Sequence, residues 1–345
     1  MALASAGQRH NFARIFGMHK PVLVTGSAGH LGEALMLTLR SQRRPALGLD
    51  IKASLFTDRV GSICDRAFVR ECLRGVHTVI HTATLHKPHV ATHTMQEFVD
   101  TNVTGTLVLL EEAVAAGVDS FIYTSTTSTF GDALTPAAGE PAAWITEEVV
   151  PVPKNIYGVT KVAAEGLCEL FNRTRRLPVL ILRTSRFFPE DDDNAAMREK
   201  YETANSQANE LLYRRADIED IVSAHVLASA RAPEIGFRRY IISGTTPFSR
   251  DDLAALRSSA PDVVQRLFPD CKDLYAARNW SLLPHIDRVY VNELAVKELG
   301  WEPKYDFQHV LDCLRAGTDF RSPLARAVGS KGYHSTTFAD GPYPV

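Results

Sequence analysis

A strand that runs straight into three glycines spaced Gly-x-x-Gly-x-x-Gly, with a helix starting among them, leaves a chain few folds to choose from. Here the stretch is Thr25-Gly-Ser-Ala-Gly-His-Leu-Gly32, set between the β-prone run Pro21-Val-Leu-Val-Thr25 and an amphipathic segment from His30 to Arg40. Gly26, Gly29 and Gly32 permit a tight turn, let backbone N–H groups approach a pyrophosphate, and pack helix against strand. A glycine triplet alone is weak evidence, but an acid ending the next strand strengthens it. That acid is Asp50, closing Ala46-Leu-Gly-Leu-Asp50, twenty-four residues beyond Gly26. A carboxylate there accepts hydrogen bonds from ribose hydroxyls and repels a 2′-phosphate, which favours NAD over NADP. Lys52, Arg43 and Arg44 lie nearby and would soften that preference. A solvated loop acid is the alternative reading of Asp50.

Beyond the turn, short β-branched runs alternate with amphipathic helical stretches, the pattern of a parallel sheet covered by helices. Strands are predicted at His77–His81, Ser120–Thr124, Pro178–Arg183 and Arg239–Ser243. Helices are predicted over 102–116, 155–173 and 218–230. The expected fold is α/β, a Rossmann-type doubly wound parallel sheet with a smaller C-terminal substrate-binding lobe. Its expected divisions are an N-terminal extension (1–18), a NAD-binding domain (19–183), a mixed region with the substrate lobe and late Rossmann elements (184–318), and a surface tail (319–345). The extension carries Arg9 and Arg14 and no acid, which fits a transit peptide, a short extension or an upstream start before Met18.

Charge excludes several function classes. With 38 basic and 40 acidic residues the formal net charge is −2, so neither a nucleic-acid binder nor a charged tail is indicated. Cys64, Cys72, Cys168, Cys271 and Cys313 form no Cys-x-x-Cys pair and read as reduced cytosolic thiols. No apolar run is long enough to span a bilayer. A cytoplasmic protein is therefore expected. His86, His89 and His93 share one loop, but Pro88 breaks helical register and no metal site is expected. His86 lining a substrate pocket is the preferred reading.

The chemistry-bearing candidate is Asn155-Ile-Tyr-Gly-Val-Thr-Lys161. Four residues apart on a helix, Tyr157 and Lys161 share a face, and a fixed ammonium beside a phenol is expected to lower its pKa toward neutrality. Tyr157 would then shuttle a proton to or from a substrate hydroxyl or carbonyl.

Taken together, these features resemble the extended short-chain dehydrogenase/reductases of the NAD-dependent epimerase/dehydratase type. The resemblance runs from Pro21 to Arg183 and more weakly from Ala216 to Trp301. Gly26, Gly29 and Gly32 fit its dinucleotide turn, which implies cofactor contacts from Ala28, His30 and Leu31 as well. Ser62-Ile-Cys-Asp65 looks like its adenine stretch, implicating Cys64 and Asp65. Val79-Ile-His-Thr-Ala-Thr84 resembles the strand end lining the cofactor, with His81 and Ala83. Asn102-Val-Thr-Gly-Thr106 fits the helix bearing the family's structural Asn. Phe121 to Gly131 matches the strand and loop with the catalytic hydroxyl, which places Thr126 at that position, Ser125 beside the cofactor and Thr127 toward the substrate.

The resemblance implies that Tyr157 handles the proton, Lys161 holds the nicotinamide ribose, and Thr126 bonds the substrate oxygen. It also implies a homodimer through the helices near 100–116 and 155–173. The chain departs from it at Thr184-Ser-Arg-Phe-Phe-Pro-Glu190. Arg186 stands near the place where nucleotide-sugar enzymes use Asn at the sugar diphosphate. It fits either an anion-binding fork or a structural partner for Asp191 to Asp193. Three functions compete: a sugar epimerase or dehydratase that returns its hydride within one turnover, a net dehydrogenase or reductase of a small alcohol, and a dinucleotide sensor. The intact Thr126, Tyr157 and Lys161 set argues against the sensor.

Overall fold

Apolar runs buried on both faces are what a parallel sheet between two helical layers requires, and the central strands here have that character. In the computed structural model, which describes residues 21–332 apart from 193, seven parallel strands form the main sheet in the order β3-β2-β1-β4-β5-β7-β8. These are β1 (Val22–Thr25), β2 (Ala46–Asp50), β3 (Arg59–Val60), β4 (Thr78–His81), β5 (Ser120–Thr126), β7 (Val179–Thr184) and β8 (Phe237–Ile242). Every residue of β1, β4 and β7 is buried. The strand order reverses between β1 and β4, so the crevice at their carboxyl ends is where such a sheet binds ligands.

The helix His30–Ser41 packs Leu31, Leu35, Met36 and Leu39 into one core layer with helix Ile218–Ile235. Helices Gly105–Ala116 and Ile156–Arg175 fill the other layer with Leu109, Leu110, Ala164 and Cys168. A third core, drawn mostly from the later part of the chain, gathers Leu211, Leu212, Phe248, Val263, Tyr275, Phe307 and Leu311. Beside it, a two-stranded sheet pairs β6 (Ala143–Ile145) with β9 (Arg288–Tyr290). The α/β fold with its late strand β8 agrees with expectation. The short strands β3, β6 and β9 are additions that sequence periodicity did not indicate.

Two local features differ from the sequence reading. The helix expected from Asn102 is wider at its start, where Val99–Thr104 forms a π-helical turn before Gly105. Part of the expected surface tail is a helix, Pro323–Val328, with Ser322 as its cap and Val328 packed against the His30–Ser41 layer. Gly329 ends it at positive φ. The proposed N-terminal extension, Asp193 and residues 333–345 lie outside the described residues.

Candidate active site

At the head of the first helix, Gly26 adopts a φ of +72°, where a β-carbon would lie 2.8 Å from the backbone nitrogen of Ala83. A β-carbon on Gly32 would lie 2.0 Å from the Gly26 carbonyl oxygen. The turn is therefore closed on itself and on the end of β4, and only hydrogen atoms fit. Gly29 caps the helix in extended conformation with no side chain over its amides, which leaves the N-terminal N–H groups open to an anion. Thr25 ties this turn to β4: its Oγ1 accepts the N–H groups of Thr82 and Ala83, both at 3.2 Å.

Asp50 sits beside the same turn. One carboxylate oxygen accepts the Ala28 N–H at 3.0 Å and the other the Lys52 N–H at 2.9 Å, so the acid is anchored rather than a loosely solvated loop residue. Each oxygen retains a lone pair for a further donor. Asp65 caps the helix Arg66–Cys72 by accepting the Phe68 N–H at 3.1 Å. The exposed Cys64 thiol donates to the Asp100 carbonyl at 3.2 Å.

Several expected cofactor contacts turn inward. His81 is buried, with Nδ1 2.8 Å from the Thr25 hydroxyl and Nε2 3.0 Å from the Thr106 hydroxyl. Burial pushes its pKa down to about 3, so it is a neutral core histidine supporting the turn from beneath. Asn102 also works structurally. Its amide oxygen accepts the Thr84 hydroxyl and the Leu85 N–H, both at 2.8 Å, while its NH2 donates to the Leu85 carbonyl and the Thr160 hydroxyl, both at 3.1 Å. It thereby pins the loop after β4 to the helix Ile156–Arg175. Ser125 donates to Glu165 Oε1 at 2.6 Å, so its hydroxyl points into the protein. Leu31 is buried in the core, leaving its backbone for any ligand.

The helix Ile156–Arg175 begins at Asn155, whose side chain accepts the Gly158 N–H at 3.1 Å. This cap fixes the register that brings Tyr157 and Lys161 to one buried face. Thr126, at the end of β5, accepts the Ser128 N–H at 3.1 Å and is buried near the Tyr157 phenol. Thr127 opens the 3₁₀ turn Thr127–Thr129 that follows.

The expected lowering of the Tyr157 pKa is not what the structure shows. Burial raises it to about 12, countered only in part by the neighbouring Thr126 hydroxyl. The Lys161 ammonium is engaged elsewhere, donating to the Thr124 carbonyl at 2.6 Å and lying 4.2 Å from the Tyr123 ring centroid. Burial lowers Lys161 itself to about 7, with Glu165 opposing that fall. The spacing correctly placed both side chains on one face, but a shared face does not fix where a flexible ammonium ends.

His86 packs beside the tyrosine: its ring centroid is 6.0 Å from that of Tyr157 and 5.6 Å from Phe188. Phe188 also sits 4.4 Å from Phe187, and both rings pack on His30. A row of rings thus links the glycine turn to Tyr157. Burial lowers His30 to about 4 and His86 to about 3, so both are neutral at physiological pH. Phe188 was not singled out in the sequence, because nothing in the dipeptide Phe187-Phe188 marks which ring turns toward the site.

Arg186 resolves toward its structural role. It donates to Asp192 Oδ2 at 3.2 Å and to the Asp191 carbonyl at 2.9 Å. Arg214 and Arg215 share the same cluster through the buried Glu210, with contacts at 2.7 and 2.8 Å. Opposing guanidinium charges hold Glu210 at about 2 despite its burial. No group of acids, histidines and cysteines among the described residues is arranged to hold a metal.

A sequence model of the NAD-dependent epimerase/dehydratase family matches residues 22–236, more than half of the chain. The chain belongs to this family.

Its fold is that of solved short-chain dehydrogenase/reductases to which it is similar. Over 163 residues it is 29% identical to the UDP-glucose 4-epimerase of Erwinia amylovora, covering 42% of this chain and 47% of that protein. The chain thus spans about half the length of that relative. It is 24% identical over 323 residues to the low-salt glycan biosynthesis protein Agl12 of Haloferax volcanii, covering 87% and 97% of the two chains. A solved short-chain dehydrogenase/reductase superfamily protein from Agrobacterium tumefaciens, with bound NAD, has a TM-score of 0.60 at 22% identity over 89% of this chain and 99% of that one. The glycine cradle and uncapped helix start of this family member fit the dinucleotide. Its pyrophosphate would meet the amides of residues 30 and 31, the Gly29 N–H being held by the Gly26 carbonyl, and its ribose hydroxyls the Asp50 carboxylate.

Proposed function

We propose that this enzyme transfers a hydride at a secondary alcohol of a sugar or sugar-like substrate, as an epimerase or dehydratase does. The observation that carries this reading is the Thr126–Tyr157 hydroxyl pair, buried together at the crevice end of the sheet beside Lys161. NAD would supply the hydride acceptor and, when oxidised, a positive charge near the phenol. Tyr157 would accept the proton of the reacting hydroxyl and return it in the reverse step. Thr126 would donate to the same substrate oxygen as charge builds on it. Lys161 would hold the nicotinamide ribose, and His86 with Phe188 would wall the substrate against water. A phenol near 12 needs added positive charge to ionise at neutral pH, and this reading places that demand on the bound cofactor.

A second reading, net dehydrogenation of a small hydroxy substrate, is favoured by Arg186. Its guanidinium is bound to Asp192 and the Asp191 carbonyl, so a nucleotide diphosphate would have to displace those partners to use it. A panel of free sugars, sugar acids and nucleotide sugars, followed for NADH and for stereochemical change, separates the two readings. NAD that dialysis cannot remove, with no net NADH, supports epimerisation; stoichiometric NADH release refutes it. Tyr157→Phe should lower turnover about 10²–10⁴-fold while sparing NAD binding. Retained turnover in that variant removes the proton role.

We also propose a cytoplasmic homodimer, built through the helices Gly105–Ala116 and Ile156–Arg175. Val159 and Leu170 are exposed on the second of these helices. Among the described residues no helix is long and apolar enough to cross a membrane. Sedimentation of Val159→Glu as a monomer, against a dimeric parent, is the expected result.

A further inference from the structure

Glu165 lies one turn beyond Lys161 and two beyond Tyr157, on the same face of one helix. Its side chain is 2% exposed and its oxygens are fully engaged. Oε1 accepts from Ser125 Oγ at 2.6 Å and Arg183 Nε at 3.0 Å. Oε2 accepts from Arg183 Nη2 at 2.8 Å and Arg239 Nε at 3.3 Å. Arg239 is shared with Glu169 at 2.6 Å. A carboxylate so deeply buried costs much desolvation and is not, by itself, a device for stability. Its neighbours indicate another purpose: Ser125 adjoins Thr126, and Lys161 is one turn away.

We infer that Glu165 is a positioning residue of the active site, supplying the negative charge opposite the buried Lys161 ammonium and anchoring, through Ser125, the strand end that carries Thr126. The electrostatic surroundings of Lys161 leave this task to Glu165. From its own helix, Lys161 faces Tyr157, Glu165 and Cys168. From β5 it faces the Tyr123 ring and the Thr124 carbonyl. His81 on β4 and His86 in the following loop complete the surroundings, with Arg183 and Arg239 on the far side of Glu165. Burial raises the Tyr123 and Tyr157 phenols and the Cys168 thiol, so all three stay neutral, and it keeps both histidines uncharged. Among these groups the Glu165 carboxylate is the full negative charge. Without it the ammonium would face a ring, a carbonyl and neutral groups, and burial would favour the free amine.

The test reads the amine directly. In protein enriched with ¹³C at lysine Cε, the Lys161 resonance is assigned by its loss in Lys161→Arg and followed against pH. Glu165→Gln is expected to lower the midpoint by about one pH unit or more, at least a tenfold loss of proton affinity. Glu169→Gln, one turn further along and partly exposed, should leave it in place. Because Glu165→Gln strands the Arg183 charge, the double variant Glu165→Gln/Arg183→Met removes both charges together and should show the same downward movement. An unmoved midpoint in either folded variant overturns the inference.

Its catalytic consequence rests on Lys161 being the cofactor's cation. A calorimetric titration of NAD against pH separates the two claims, since the alkaline loss of affinity should begin about a unit earlier in Glu165→Gln. A shifted amine with an unshifted NAD profile upholds Glu165 as the partner of Lys161 and removes the ribose role of Lys161.

Discussion

The three glycines of the dinucleotide turn are equivalent in sequence but not in structure, and an alanine series exposes the difference. At Gly32 the new β-carbon would stand 2.0 Å from the Gly26 carbonyl oxygen, 2.6 Å from its carbon and 2.8 Å from the Ser27 Cα. All three are backbone atoms, held between β1 and the first helix, and the shortfall from ordinary van der Waals contact exceeds about 1 Å. No rotamer change relieves it, so the helix must withdraw from the strand. Overpacking of this kind costs about 1–3 kcal/mol or more, and here the upper end is expected. At Gly26 the clash is milder, 2.8 Å to Ala83 N, but φ is +72°, which adds about 1–2 kcal/mol of left-handed strain. At Gly29 the backbone is extended and the nearest atom is 3.2 Å away, so alanine should cost well under about 1 kcal/mol. Thermal unfolding should therefore rank the variants Gly29→Ala, Gly26→Ala, Gly32→Ala in order of increasing damage, with a loss of about 2–4 °C per kcal/mol. NAD affinity by calorimetry should collapse for Gly32→Ala, because helix withdrawal removes the amide cradle. A Gly32→Ala protein that melts with the parent and binds NAD unchanged would refute the argument.

Asn102→Ala should destabilise by about 2–4 kcal/mol, since it strands the Leu85 N–H and carbonyl beneath the loop after β4; chemical denaturation measures this. Asp50→Ala should weaken discrimination against NADP, and an unchanged ratio of NAD to NADP affinity would dismiss its ribose role. Acid should destabilise the fold through its buried histidines. His30 and His225 sit near 4, and His81 and His86 near 3, against about 6.5 when unfolded. The unfolded chain therefore binds more protons as pH falls from about 6.5 toward 4, and each histidine withdraws up to about 2 kcal/mol by pH 5. Denaturant titrations across that window should show a falling midpoint, less steep in His225→Gln.

Most of the architecture was legible from the chain because it rests on local rules. Strand-to-helix alternation, the glycine spacing and the acid ending β2 are each readable within a few residues, and the sheet follows from them. The Tyr157–Lys161 pairing was legible for the same reason, since helical geometry alone puts positions four apart on one face. What those side chains do there was not legible. Lys161 was expected to act on the Tyr157 phenol, yet it bonds the Thr124 carbonyl, a partner 37 residues away in sequence and set beside it by β5. Ser125, expected at the cofactor, turns to Glu165 because neighbouring residues on a strand point to opposite faces. Arg186 admitted two readings until the lobe placed Asp192 and Glu210 around it.

The sequence by itself determined the cofactor cradle of Gly26, Gly29 and Gly32, the acid at Asp50 and the shared face of Tyr157 and Lys161, because those depend on backbone geometry over a few residues. Only the tertiary structure decided the charge states and partners: a neutral His81 beneath the turn, a Tyr157 phenol raised to about 12, and a Lys161 ammonium held on the Thr124 carbonyl. Those depend on desolvation and on charges brought from distant strands, and no local pattern carries that information.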